Sequence, residues 1–227
     1  MDQTAEQVRF EHLEKLGPRL APVFSELKDD LAWLQVKWAE YRELFASSPQ
    51  RIELLNSAAG LFFRILQDTL WEDALLHLCR LTDPATMRGR DNLTIQALPE
   101  LIDDEPLKVD ISRLVSETIA RVTFARDWRN RRIGHRDLAV ALGSASTPLA
   151  AGSRADVSEA LSAIHCVVNE IHERLLHSTL SDEVIAPSTG AEALLYVIRD
   201  GLEADAARRE RIRSRTFTEA DLRHDAV

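Results

Sequence analysis

Apolar positions recur at helical spacing along most of this chain. Leu27, Leu31, Leu34, Trp38, Tyr41 and Phe45 fall three or four residues apart, which gathers them on one face of a helix running from about Pro22 to Phe45. A shorter helix over Asp2–Leu16 precedes it, and Gly17-Pro18 separates the two. Ser47-Ser48-Pro49 reads as a turn that also caps the next helix. Leu55, Ala59, Phe62, Leu66, Leu70, Ala74, Leu78 and Leu81 predict that helix as one long run over Arg51–Thr82. Asp83-Pro84 stops it, because a residue before proline disfavours helix. Ala85–Asn92 is polar and reads as a loop, and Leu93–Ile102 as a short helix.

Ile111, Val115, Ile119 and Val122 mark the buried side of a further helix, Pro106 to Ile133, which ends or bends at Gly134. Ala139–Ser153, rich in small residues, reads as a mobile loop. Val157, Leu161, Ile164, Val168, Ile171 and Leu175 predict a helix over Asp156–His177. Pro187-Ser188-Thr189-Gly190 opens the last helix, with Ala191, Leu194, Ile198 and Leu202 on its apolar face. The basic run Arg208–Arg215 and a polar tail close the chain. No stretch alternates as a strand does. The expected fold class is therefore all-α, an antiparallel four-helix bundle with additional flanking helices. Residues 1–48 are expected to form N-terminal helices packed in part on the bundle. Residues 49–180 form its core, 181–213 a C-terminal helix and 214–227 a polar tail.

Composition agrees with that reading. Of 227 residues 45% are hydrophobic, enough for one substantial core, and Gly and Pro number only eight each. The start, Met1–Glu6, lacks a secretory apolar region. The apolar run Leu61-Phe62-Phe63 is cut by Arg64, far short of a membrane span. A cytoplasmic protein with no membrane partner is expected. Cys79 and Cys166 lie among apolar residues and read as two buried free thiols. There is no P-loop, no dinucleotide-type glycine pattern, no nucleophile elbow and no His-Glu-x-x-His. His77, His165, His172 and His177 are not spaced as a ligand set. Neither a cofactor nor a metal is expected.

Charge changes the picture. The net charge of −9 argues against a general nucleic-acid coat. Yet Arg126–Arg136 holds five arginines against one aspartate, so one basic spot stands on an acidic body. The segment reads Arg126-Asp127-Trp128-Arg129-Asn130-Arg131-Arg132-Ile133-Gly134-His135-Arg136-Asp137. Guanidiniums grip phosphate bidentately and stay charged. His135 can gain or lose a proton near neutrality, Asn130 can orient a neighbour, and Gly134 permits close approach. Such parts suit metal-independent RNA cleavage: His135 as acid/base, Arg129 stabilising the phosphorane, Asn130 orienting both. Arg126, Arg131, Arg132 and Arg136 are candidate RNA contacts. On an unbroken helix Arg129 and His135 point about 120° apart, a difficulty that a bend at Gly134 would remove.

Arg129-Asn130 followed by His135 resembles the R-x(4–6)-H motif of HEPN domains in its R-N-x(4)-H form. The string Arg129–Asp137 is similar to the AbiU-like, abortive-infection branch, as are Cys79-Arg80-Leu81-Thr82-Asp83-Pro84 and the helix Gly190–Gly201. The resemblance spans about Tyr41 to Gly201. It implies a four-helix bundle, a homodimer with facing motifs and a ribonuclease toxin or antiphage effector using Arg129 and His135. It also admits an antitoxin or regulatory protein as partner. Some HEPN toxins carry a Tyr two residues after the His, where modification neutralises them; here that position is Asp137. The alternative reading is a non-catalytic HEPN module, or helical adaptor, that binds RNA or a partner protein.

Overall fold

A computed structural model describes residues 5–181 and 189–222. The described residues are mostly helical, 78% of them. In order come α1 (Ala5–Phe45), α2 (Pro49–Thr82), β1 (Thr86–Met87), β2 (Arg90–Asp91) and a 3-10 helix (Ile95–Leu101). They are followed by α3 (Glu105–Arg121), α4 (Thr123–Trp128), a π turn (Arg129–Ile133), α5 (Leu138–Ala141), α6 (Arg154–Leu176), α7 (Ala191–Arg213) and α8 (Glu219–Leu222). Two compact units form, Met1–Trp38 with Leu70–Val184 and Ala39–Thr69 with Ile185–Val227.

In the first unit, cross-helix contacts fix the chain directions. Phe24, Gln35 and Trp38 of α1 meet His172, His165 and Ser158 of α6, so these helices run antiparallel. Asp30 and Lys37 of α1 meet His77 and Asp73 of α2, again antiparallel. Asp110 and Arg121 of α3 meet Arg174 and Glu159 of α6 in the same sense. The result is an up-down-up-down bundle whose core includes Phe24, Leu27, Leu34, Leu75, Leu78, Ile111, Ile164 and Ile171. Ser153 and Asp156 cap each other's backbone at the start of α6, satisfying two of its free N–H groups.

Gly17 breaks α1 as its sequence predicts. It has a φ of 75°, in the region that favours glycine. The helix resumes at Pro18, earlier than Pro22. Three elements differ from the sequence reading. Segment 85–92 is a small antiparallel hairpin, Thr86 opposite Asp91, with Arg88 and Gly89 in left-handed conformation at its turn. α2 is interrupted at Ala59, where the backbone is extended. This shifts the helical phase, so Phe63 is buried while Phe62 is 59% exposed. The helix predicted over 106–133 stops at Arg121 and restarts as α4. A regular stripe does not reveal such breaks, because one slipped residue barely alters its spacing. Cys79 is buried but Cys166 is exposed. The α6 core stripe runs through Ile164, Val167, Val168 and Ile171, leaving Cys166 on the other side.

In the second unit Arg51 closes the α1–α2 turn by donating to the Glu43 carboxylate at 2.6 Å and the Glu43 carbonyl at 2.9 Å. The Glu40 carboxylate accepts from Ala191 N at the start of α7. The predicted Pro187-Ser188 opening of that helix lies outside the described residues. The basic run is largely spent within the chain. Arg208 and Arg209 pair with Asp205, Arg213 with Glu210, and Arg211 with the buried Asp221 of α8. The Arg211 guanidinium, with Thr218, holds the Asp221 carboxyl far below its ordinary range. Among the described residues no helix is long and apolar enough to cross a membrane.

Leu78 is fully buried, so Leu78→Ala is expected to cost about 2–5 kcal/mol, read from the denaturant midpoint. His77 is 2% exposed, and its Nε2 lies 3.5 Å from Asp30 outside hydrogen-bond geometry. Burial pushes its pKa below the ordinary 6.5, Arg80 and Lys37 add to the effect, and Asp30 opposes it. The fold therefore prefers a neutral ring, while the unfolded chain takes a proton more readily. That part of the stability is complete above 6.5 and declines as pH falls through the interval below it. Denaturation midpoints measured from about pH 7.5 down to about pH 5.5 should fall, and His77→Gln should flatten the decline.

Candidate functional site

The site is built where the end of α2 meets the end of α4. Thr82 closes α2 by turning its hydroxyl back to the Leu78 carbonyl at 2.7 Å. Asp83 comes next, with its side chain 15% exposed. Arg129 Nη1 donates to both Asp83 oxygens, at 2.7 and 2.9 Å, and Arg129 Nε donates to Asn130 Oδ1 at 3.1 Å. Arg126 Nη2 donates to the Thr82 carbonyl and, at 3.0 Å, to its hydroxyl. Cys79 lies beneath. Burial pushes its thiol up to about 11, against the lowering effect of Arg129 and Arg126, so it is held as the neutral thiol.

The helix does not run unbroken through the motif. Gly134 N donates to the Arg129 carbonyl, five residues back, at 2.7 Å. A Cβ on Gly134 would stand 3.0 Å from that carbonyl, tight enough that only glycine fits without displacement. The helical run ends there. His135 sits past the helix, and the angle expected between it and Arg129 on an ideal helix does not apply. Its side chain is exposed and makes no hydrogen bond among the described residues. Single π turns of this kind occur often at functional sites.

The other candidate residues divide by what they hold. Arg131 donates to Asp127 at 3.3 Å and to the carbonyls of Thr147 and Pro148 at 2.7 and 3.2 Å. Asp127 also accepts from Ala150 N at 2.8 Å, and Trp128 Nε1 donates to the Ala150 carbonyl at 2.9 Å. The segment expected to be a mobile loop is thus pinned along 147–150 and contains α5. Its start is capped by Asp137, which accepts from Val140 N at 2.9 Å. Trp128 packs edge-on against Trp71, 5.9 Å between centroids, and Arg132 lies 5.1 Å over its ring. Arg136 is exposed and makes no hydrogen bond among the described residues.

The structure therefore joins Arg129, Asn130, Arg126 and Asp83. It does not join His135 to them by a hydrogen bond. Local sequence gives no sign of Thr82 as the acceptor for Arg126. The four-residue step from Asp127 to Arg131 was a readable signal for their pairing. Among the described residues, no group of three or more His, Cys, Asp or Glu is arranged to hold a metal ion.

The geometry thus places Arg129 and Asn130 on a π turn at the end of one helix of a four-helix bundle, with His135 just beyond it. The family model for AbiU2, a HEPN family, matches residues 18–194, and the chain belongs to that family. No curated protein and no solved structure matches the chain.

Asp83 is the common anchor of this arrangement. Asp83→Ala is expected to cost about 1.5–3 kcal/mol, the value of a hydrogen bond to a charged group. Asp83→Asn, which keeps one acceptor oxygen, should cost less. Urea denaturation of the three proteins checks both.

Proposed function

We propose that this protein is a metal-independent endoribonuclease that acts as a toxin or antiphage abortive-infection effector. The observation that carries the reading is a carboxylate-held guanidinium, Arg129, at the head of a π turn that ends beside a solvent-facing imidazole, His135. Asp83 takes Nη1 of that guanidinium and Asn130 takes Nε, and among the described residues the Nη2 edge has no partner, so it can meet a phosphate.

The chemistry is intramolecular transesterification. His135 removes the proton from a ribose 2′-hydroxyl. The 2′-oxygen attacks the adjacent phosphorus, and Arg129 stabilises the charge that grows on the non-bridging oxygens. The bond from phosphorus to the 5′-oxygen breaks as that oxygen takes the proton from His135, which is thereby restored. The products are a 2′,3′-cyclic phosphate and a 5′-hydroxyl end. DNA, which lacks the 2′-hydroxyl, is spared. Asn130 acts through Arg129, whose Nε it holds, so it is a positioning residue. The chain works as a homodimer with facing motifs, as the family resemblance implies, and a partner protein restrains it in the cell.

Incubating purified full-length protein with total cellular RNA in EDTA tests this reading. Wild type should cut and leave cyclic phosphate ends, and His135→Ala and Arg129→Ala should each slow cutting by about a hundredfold or more. If folded wild-type protein is as inert as both variants, the catalytic reading falls and RNA binding without cleavage takes its place.

A further inference from the structure

A cavity of about 320 Å³ opens beside the π turn. Three arginines line it, Arg131, Arg132 and Arg136, together with two carboxylates, Glu72 and Asp137. Val140 and Ala141 supply an apolar wall. Two of these five polar groups are already spoken for. Arg131 is bound to Asp127 and to the carbonyls of Thr147 and Pro148. Asp137 caps α5. Arg132 covers the face of Trp128, and its N–H edges have no acceptor among the described residues. Arg136 makes no hydrogen bond among the described residues. Glu72, half-buried on α2, has no ion-pair or hydrogen-bond partner among them either.

The unused groups define what would fill the cavity. Arg132 and Arg136 call for an anion. Glu72, when ionised, can only accept hydrogen bonds, so it calls for donors, and two adjacent donors would satisfy both of its oxygens. Of the four RNA bases, guanine alone carries two adjacent donors on its Watson–Crick edge, N1–H and the N2 amino group. Adenine, cytosine and uracil each bring one donor beside an acceptor, which would face the carboxylate. Val140 and Ala141 offer a surface for the base plane. The volume lies at the small end of the range for ligand sites, about 300–1,000 Å³, and suits a single nucleotide. Unstacked bases in single-stranded RNA present this edge freely.

We infer that this cavity is a guanosine-nucleotide subsite, with Glu72 reading the base and Arg132 and Arg136 taking the phosphate. The inference rests on the RNA-directed reading of the neighbouring motif. It gives that motif a sequence preference for a guanosine next to the scissile phosphate.

Titrating the full chain with the 5′-monophosphates of guanosine, inosine, adenosine, cytidine and uridine tests it by calorimetry. The guanosine nucleotide should bind about tenfold or more tightly than the other four, inosine losing the advantage because it lacks the N2 amino group. Glu72→Gln should abolish the preference, and Arg132→Ala with Arg136→Ala should weaken all five alike. Equal affinities, no binding of any nucleotide, or a preference that survives Glu72→Gln would overturn the subsite. A second arm separates this from the ribonuclease reading. Oligoribonucleotides with one guanosine, or inosine in its place, are offered as substrates. Cutting that ignores the replacement overturns the subsite and leaves the ribonuclease standing. Guanosine-selective binding without any cutting keeps the site, for a free nucleotide, and removes the ribonuclease.

Discussion

The Asp83 carboxylate lies just beyond the last turn of α2, mostly shielded from water, and both of its oxygens accept from Arg129. Arg126 binds the carbonyl and hydroxyl of Thr82, one residue before it. Two guanidiniums from the end of one helix are thereby tied to the end of another. Such charge-assisted bonds are short and directional, so they set the position of the π turn as well as its charge. Without them, the two guanidiniums would repel one another, and Arg129 would have no reason to keep one rotamer.

The π turn is the second element that everything nearby depends on. A regular α-helix through Arg129–His135 would carry the motif residues round to different faces. The wider turn, closed by the bond from Gly134 N to the Arg129 carbonyl, ends the helix and releases His135 into solvent. Just past it, the chain is tied down again. Arg131, Asp127 and Trp128 hold the 147–150 segment by four contacts to backbone groups. The exposed imidazole therefore lies between the π turn and the start of α5, which Asp137 caps.

A dense basic string need not be a uniform basic surface. Arg126 and Arg131 are absorbed by carbonyls and an aspartate, Arg129 shares itself between Asp83 and Asn130, and among the described residues Arg132 and Arg136 keep their donors unclaimed. The second basic run, 208–215, is likewise largely neutralised by Asp205, Glu210 and Asp221. With a net charge of −9, the acidic residues act as partners for these arginines as much as a solubilising coat.

Local sequence was enough for the helical class, the break at Gly17, the stop at Asp83-Pro84 and the core face of α6. Each has a local cause: apolar spacing near 3.6 residues, a glycine at positive φ, or the steric demand of proline on its predecessor. Local sequence also carried the motif Arg129-Asn130-His135 as a pattern. The remainder depended on tertiary packing. The extended residue at Ala59, the stop at Arg121 and the hairpin at 86–91 leave no clear mark on periodicity. Whether an arginine grips a carbonyl, a carboxylate or nothing depends on what the fold brings opposite it: Thr82 and Asp83 lie more than 40 residues from Arg126 and Arg129. Glu72 illustrates the limit most sharply. Nothing adjacent to it in the chain distinguishes it, and only the packing of α2 against the 131–141 segment turns it into one wall of a cavity.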